Sequence, residues 1–564
     1  RLPMWEQVYT PVGGQLAASA ACALVPVGAF VYLLAVRRVR GYRAALIALA
    51  LAILLAVGVW RMPPAMALAA AGYGVAYGLW PIGGVVLAAV FLYKLAETSG
   101  LVAVIRASIG QITADRRLQV LLIAYGFGGF LEGVAGFGTP EAITAALLVG
   151  LGFRPLLAAG LCLVANTAPV AWATVGIPIV VAAQMTGLDA SSISRAAALL
   201  VMPLSLIIPF LLVAIVDGWR GVRETWPAAA AAGGTFALVQ VVLASKGLYE
   251  LPSVLAPLAS MAALVGFVRV VQRRGRTARA GAAASVRWLA ADEVAAAAAQ
   301  RGGPSLWPRG AEMGEGRPES IPAGQVLRAW SPFLLLIAVV GVWNVPAVKE
   351  LLDRAAIVVP VPALHERVWV MPPAASVPMP LPAVYVFNGL GAAATAVFLA
   401  ALAAKPLFCL SWRAYLTVGG QTLRELGRSL VTISLLLGVA YLARYAGLSA
   451  TLGVFLAKTG SLFPLVSPVL GWLGVMATGS NTSSNVLFAP LQHVVAQRVG
   501  VDSALLVAAN AAGGAVGKMV SPQSLAIVCA VTNLVGKEAK LFRFALKYSL
   551  GLLALVCGLA IGYA

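Results

Sequence analysis

Charge is the scarcest commodity in this 564-residue chain: Asp, Glu, Lys and Arg together make up 11%, and only 20 residues are acidic. A soluble domain carries roughly 25% charged residues. Hydrophobic residues reach 61% and the mean hydropathy is +0.92. A soluble fold of this length would have to hide more apolar surface than one core can hold, so lipid is the solvent for most of the chain. Histidine is almost missing, with only His365 and His493. His365-Glu366-Arg367-Val368-Trp369 lacks the second histidine of a metalloprotease helix. An intramembrane metalloenzyme is therefore disfavoured, and no metal and no cofactor are expected. Five cysteines (Cys22, Cys162, Cys409, Cys529 and Cys557) lie in apolar runs without ligand-like spacing and read as small buried hydrophobes.

Basic residues outnumber acidic ones by 40 to 20, but they fall between apolar stretches. That is the positive-inside pattern of a membrane protein. A nucleic-acid partner would need a basic patch on a soluble module, and none is present.

A membrane crossing takes about 20 mainly apolar residues. The spans expected on that basis are 15–36, 44–60, 63–95, 155–183, 196–216, 227–245 and 252–271, then 329–345, 381–404, 414–446, 503–534 and 541–563. Trp5 to Pro11 is polar with no basic run, so the first apolar stretch is expected to be a span rather than a cleaved leader. Two further stretches, 118–152 and 462–497, are glycine-rich or polar in the middle and are expected to be re-entrant hairpins. Segments 155–183 and 503–534 carry polar and proline interruptions and are expected to be broken helices. The fold class is thus an all-α polytopic membrane protein with about 12 transmembrane helices and two re-entrant hairpins. Its parts are an N-terminal membrane half 1–271, a linker 272–325 and a C-terminal membrane half 326–564.

Arg37, Arg38, Arg40 and Arg43 place the first loop in the cytoplasm. Arg116, Arg117 and Arg154 place both ends of the first hairpin there. Arg220, Arg223, Arg273, Arg274, Arg276 and Arg279 agree, so the linker is cytoplasmic and both termini lie outside. The halves resemble each other at an offset of about 350 residues. KLAETSGLVAVIRASIG from Lys94 lines up with RYAGLSATLGVFLAKTG from Arg444. GGFLEGVAGFGTP (128–140) falls opposite TGSNTSSNVLFAP (478–490), and LLAAGLCLVANTAP (156–169) opposite ALLVAANAAGGAVG (504–517). An odd number of intervening spans inverts the second copy. Inverted repeats whose broken helices meet near the midplane are the architecture of secondary transporters.

Four segments break the rule that membrane interiors are apolar. Gly126 to Glu141 packs glycines around Glu132 and Glu141. Close helix packing accounts for the glycines but not for two carboxylates. Asn166 and Thr167, followed by Pro169, interrupt a span, either kinking it or exposing backbone to a ligand. Thr478 to Asn485 bears a hydroxyl or amide at every position but Gly479, which suits an anionic carboxylate. Gly513 to Ser524 contains Lys518, and a lysine at membrane depth is costly unless paired, solvated or snorkelling. The candidate substrate-binding set is therefore Gly133, Gly136, Gly138, Thr139, Asn166, Thr167, Ser480, Asn481, Thr482, Ser483, Ser484, Asn485, Lys518, Ser521 and Gln523. Glu132 and Glu141 are the candidate proton-coupling carboxyls.

Several of these strings, with others along the chain, resemble the bacterial lactate permease family, which also holds glycolate permeases. The resemblance runs through WEQVYTPVGG from Trp5, AGYGVAYGLWPI from Ala71, FLYKLAETSG from Phe91, FLEGVAGFGTPEAI from Phe130, LVANTAPVAW from Leu163, TGSNTSSNVLF from Thr478 and GKMVSPQSLAI from Gly517. It implies proton-coupled uptake of L-lactate, D-lactate or glycolate across a bacterial cytoplasmic membrane, within the ion-transporter superfamily, with an elevator-like or rocking motion. One departure stands out: the family pattern often carries Asp where Asn481 stands, which puts a protonation role at that position in doubt and favours Glu132.

The expected partners are thus a small monocarboxylate anion, a proton and the lipid bilayer. The carboxylate is expected between the hairpin tips, with Lys518 as its charge complement and Ser521 and Gln523 reading the 2-hydroxyl. Two other classes stay open. A sodium-coupled carboxylate carrier keeps this architecture and is excluded by sodium-independent uptake. A channel is separated from a carrier by saturable counterflow.

Overall fold

The computed structural model describes residues 4–564 apart from Val36, Arg38, Gln111, Phe137, Gly138, 276–320, Asn344, Ala375, Ser376, Val535 and Gly536. Most of the expected linker 272–325 therefore lies outside the described residues. Among those described, ten helices are long and apolar enough to cross a membrane, or eleven if the pair Pro155–Ala165 and Val170–Thr186, bent by 61°, makes one crossing. One of the ten, Ala190–Ser245, has 56 residues. At 1.5 Å per residue it would run roughly 84 Å if straight, far more than a bilayer. It breaks at Asp217 and Gly218, where Gly218 takes φ 63°, so it makes two crossings. Leucines such as Leu24, Leu54, Leu68 and Leu238 are exposed on the outer surface, as lipid contact requires.

The break at Asp217 has a clear partner. Arg117, at the start of the first hairpin, bonds Asp217 at 3.0 Å, Glu224 at 2.6 Å and Asp115 at 2.9 Å. The Arg116 guanidinium lies over the Phe153 ring at 5.6 Å. Residues 115–117, 153 and 217–224 thus share one end of the molecule, and the chain from Arg116 to Gly152 leaves that end and returns to it.

Two long helices form a spine. Pro64–Thr98 spans 35 residues and kinks at Trp80, whose backbone is extended (φ −142°, ψ 129°). Trp412–Tyr445 has 34 residues and runs antiparallel to it. A Cβ at Gly74 would overlap the Leu437 carbonyl, and one at Gly78 would overlap Ser434. Lys94 pairs with Glu425 further along.

The segment 381–404 departs from the expected span. Only Ala393–Ala403 is helical there. Val384–Phe387 is a strand, antiparallel to Ile357–Pro360. Pro378, Pro380 and Pro382 remove the amide donors a helix would need, and the β-branched and aromatic run after them suits a strand. A second small sheet joins Trp5–Glu6, parallel, and Met379–Pro380, antiparallel, to Val368–Val370. The fold is helical with this one strand-bearing layer, which the apolar pattern hid. It rests on the spine through Tyr73, whose hydroxyl donates to the Val384 carbonyl at 2.7 Å, and Tyr445, which donates to that of Pro382 at 2.7 Å.

The second hairpin-like unit packs through glycine. Phe463–Thr478 and Asn481–Val499 are joined at Gly479, in the left-handed region (φ 72°), and Ser480. Phe463–Thr478 crosses Ser503–Gly517 so closely that a Cβ at Gly471 would overlap the Asn510 carbonyl, and one at Gly513 that of Pro468. Gly513→Ala is therefore expected to lower the thermal midpoint of the protein in detergent, since overpacking costs about 1–3 kcal/mol. Gly551→Ala, where a Cβ meets nothing within 4 Å, should leave it unchanged.

Candidate functional site

The centre of the molecule is built from two interrupted helices. In the first, Pro155–Ala165 stops at Asn166 and the chain resumes as a helix at Ala173. Pro169 lacks an amide donor. Thr174, Val175 and Gly176 all take left-handed backbone (φ 49°, 57° and 77°), so several peptide groups around the break are turned from the helix axis. In the second, Ser503–Gly517 passes through the turn Lys518–Val520 into Pro522–Val531. Proline at the first helical position needs no donor, and Ser521 caps the new helix by accepting from the Ser524 amide at 3.2 Å.

These breaks bring together residues far apart in the chain. The Lys518 ammonium lies 2.5 Å from Glu132 Oε1 and 3.5 Å from Glu141 Oε1. The Asn166 amide nitrogen donates to Glu132 Oε2 at 2.8 Å and to Glu141 Oε1 at 2.8 Å. All four side chains are buried. Glu132 closes the first arm of the hairpin, in helix Gly128–Val134, and Glu141 opens the second, in Thr139–Gly150. One ammonium faces two carboxylates, so the centre carries one net negative charge when all three groups are ionised. Glu132 has both oxygens bonded. Glu141 Oε2, Asn166 Oδ1 and the Thr167 hydroxyl are buried with no hydrogen-bond partner among the described residues.

Asparagines stitch the second hairpin to the two breaks. Asn481 donates to the Ala511 carbonyl at 3.1 Å and to that of Val170 at 3.5 Å. Asn485 donates to the Pro178 carbonyl at 2.9 Å and accepts from Asn510 at 2.9 Å. Ser480 caps Asn481–Val499 by accepting from the Ser483 amide at 3.2 Å. Ser484 turns into its own hairpin, bonding the Gly471 carbonyl at 3.2 Å. Thr482 is half-buried. Ser480, Ser483 and Gln523 line a cavity of about 390 Å³.

The glycines divide. A Cβ at Gly133 would overlap the Ser253 carbonyl, so that glycine admits helix Pro252–Gly275. Gly136, with φ 54°, lies against the Thr174 hydroxyl at the first break. Gly138 is outside the described residues, and Thr139 is described by its backbone only. Asn510 and Thr174 escaped the sequence reading. Asn510 stands in an alanine-rich run, opposite Cys162 in the proposed alignment, and the lone amide in that run was the available signal.

The whole chain can be compared with known sequences. Residues 19–563 match the family described as L-lactate permease. The chain belongs to that family. The glycolate permease GlcA of Escherichia coli is 45% identical over 97% of this chain and 95% of its own length. The L-lactate permease of Bacillus subtilis is 46% identical over 98% and 97%. A solved structure, the Alcanivorax borkumensis YdaH transporter, is a distant likeness at 16% identity and a TM-score of 0.40, covering 87% of this chain and 86% of that one. This permease is a multi-pass membrane protein, and its relatives are named as transporters rather than enzymes.

Breaking a buried ion pair by removing one partner typically costs about 3–5 kcal/mol. Lys518→Met should therefore destabilise the permease strongly, read as the thermal midpoint in detergent. Adding Glu132→Gln to it should recover part of the loss. A double variant no more stable than Lys518→Met would show that the pair is not coupled.

Proposed function

We propose that this permease is a secondary transporter that carries lactate or a related 2-hydroxymonocarboxylate such as glycolate, together with a proton, across the bacterial cytoplasmic membrane. The observation that carries the reading is the buried trio of Lys518, Glu132 and Glu141 at the meeting of two broken helices. Family membership and the names of the relatives support the substrate class.

The trio suggests how proton and anion are linked. With one proton on the carboxyl pair, Lys518 and the remaining carboxylate form a neutral group, which is the cheapest state to hold in lipid. Glu141 Oε2, the unbonded carboxylate oxygen, takes the proton in this arrangement. A substrate carboxylate competes with Glu132 for Lys518 and leaves a second carboxylate to be neutralised. A bound anion therefore recruits a proton, and a bound proton favours the anion. Ser480, Ser521 and the two helix N-termini at Asn481 and Pro522 supply donors and positive potential for the anion, since each serine accepts as a cap and keeps its own O–H to donate. Two hairpins followed by two broken helices support an inverted repeat. The arginine-rich ends support a cytoplasmic face at Arg37–Arg43, Arg116, Arg117 and Arg220, with both termini outside.

Uptake of labelled lactate into proteoliposomes under an inward proton gradient, with sodium absent, tests the reading. Gradient-driven uptake competed by glycolate but not by succinate is the expected result. Glu141→Gln and Glu132→Gln are each expected to retain lactate counterflow but lose most gradient-driven accumulation, by roughly 5–150-fold if the coupling lies in the usual range. Full gradient dependence in both variants would remove the proton role, and a strict need for sodium would replace it with sodium coupling.

A further inference from the structure

Along the second broken helix from the charge centre lies a cavity whose arginines have no role in the mechanism so far. Its volume is about 390 Å³, and its walls come from two sides. One side is the turn between the first two helices, with Arg40 and Tyr42, and the spine helix Trp412–Tyr445, with Arg428. The other is the tip of the second hairpin, with Ser480 and Ser483, and the second break, with Gln523. No acidic residue among those described lines it.

Four features make it suited to an anion. The helices Asn481–Val499 and Pro522–Val531, of 19 and 10 residues, both begin at its wall, so their N-terminal amides and positive dipole ends are close by. Arg428 has no ion pair among the described residues, because its neighbour Glu425 is taken by Lys94. Ser483 is only 5% exposed, lines the cavity, and its hydroxyl makes no hydrogen bond among the described residues. That hydroxyl is free to donate to a ligand in the cavity. The volume lies in the range of small-molecule sites. The cavity lies along the same break as the charge centre: Gln523 follows Ser521 by two residues, and the Ser521 amide bonds the Lys518 carbonyl at 3.2 Å.

We propose that this cavity is a second carboxylate station, in which Arg428 and the Ser483 hydroxyl hold a small monocarboxylate between the Lys518 centre and the face of the protein where Arg428 lies. The station rests on the monocarboxylate reading above and adds residues and a place to it. A guanidinium presents two parallel donors to a carboxylate, and Arg40 raises the local potential from the opposite wall. Because the spine contributes the arginine and the hairpin tip contributes the serine, the station exists only while those two walls face each other. It therefore serves one side of the membrane and not the other.

That asymmetry is the test. Lactate KM is measured from each side, in proteoliposomes sorted by orientation, for wild type, Arg428→Gln, Arg428→Lys, Ser483→Ala and the control Arg424→Gln, which changes an arginine of the same helix outside the cavity. Arg428→Gln is expected to raise KM roughly tenfold or more for lactate presented on its own face, with less than about a twofold change from the other. Arg428→Lys should restore part of the loss, Ser483→Ala should act in the same direction from the same face, and Arg424→Gln should change neither. Wild-type uptake with Arg428→Gln unchanged, or altered equally from both faces, overturns the station alone and leaves Arg428 as a helix charge with no one-sided role. A wild type that carries no 2-hydroxymonocarboxylate overturns the station and the substrate reading together.

Discussion

The structure turns on one ammonium group in a place where water is scarce. Lys518 lies 386 residues from Glu132 in sequence, yet the two must touch, because either charge alone would be costly at membrane depth. That requirement fixes much of the rest. The first hairpin has to bring its tip inward, or Glu132 and Glu141 cannot reach the centre. The second broken helix has to interrupt itself at Lys518, or the side chain would stay packed in a continuous helix. Asn166, at the interruption of the first, closes the arrangement by donating to both carboxylates.

Broken helices carry their own demand, since backbone released from a helix must find partners inside protein. Asparagine meets much of it here. Asn481 and Asn485 reach from the second hairpin to carbonyls of Val170, within the first break, and Pro178, just beyond it. Asn510 links back to Asn485. The second hairpin is thus bonded to the first break and to helix Ser503–Gly517, which leads into the second, while its tip lines a cavity shared with the spine. A boundary dry on one side and hollow on the other is where relative movement costs least. The proposed alternation of access and the proposed one-sided station both depend on that contrast.

The sequence made the expensive residues visible and left their pairing hidden. Glu132, Glu141, Asn166 and Lys518 each stand out because a charge or amide inside an apolar run needs a reason. Nothing in one chain says that a lysine near the C-terminus answers a glutamate near residue 130. Glycine was ambiguous for the opposite reason, since one residue type serves close packing and ligand approach alike. Gly133 and Gly513 turned out to pack against carbonyls, whereas Gly136 lies at the break. The strands at 357–387 were masked because apolar content alone does not separate a strand from part of a span, and the prolines were the neglected signal. Arg428, in the middle of Trp412–Tyr445, was overlooked although a basic residue inside an expected span needs a reason. Only its placement opposite Ser483 gives it a specific one.

Asn481 shows how a single substitution relative to a family pattern can be weighed physically. Where that pattern carries Asp, an ionised carboxylate has no proton to donate to the Ala511 and Val170 carbonyls, so it would either hold a proton or repack the junction between the hairpin and the breaks. The amide in this chain makes those bonds in its only available protonation state. Its bonding is therefore indifferent to pH, and the junction stays intact whichever way a proton moves. The titratable groups left at the meeting of the breaks are Glu132 and Glu141 beside Lys518. In this chain the Asn481 amide nitrogen holds the junction, and in the proposed coupling the proton is exchanged at the carboxyl pair.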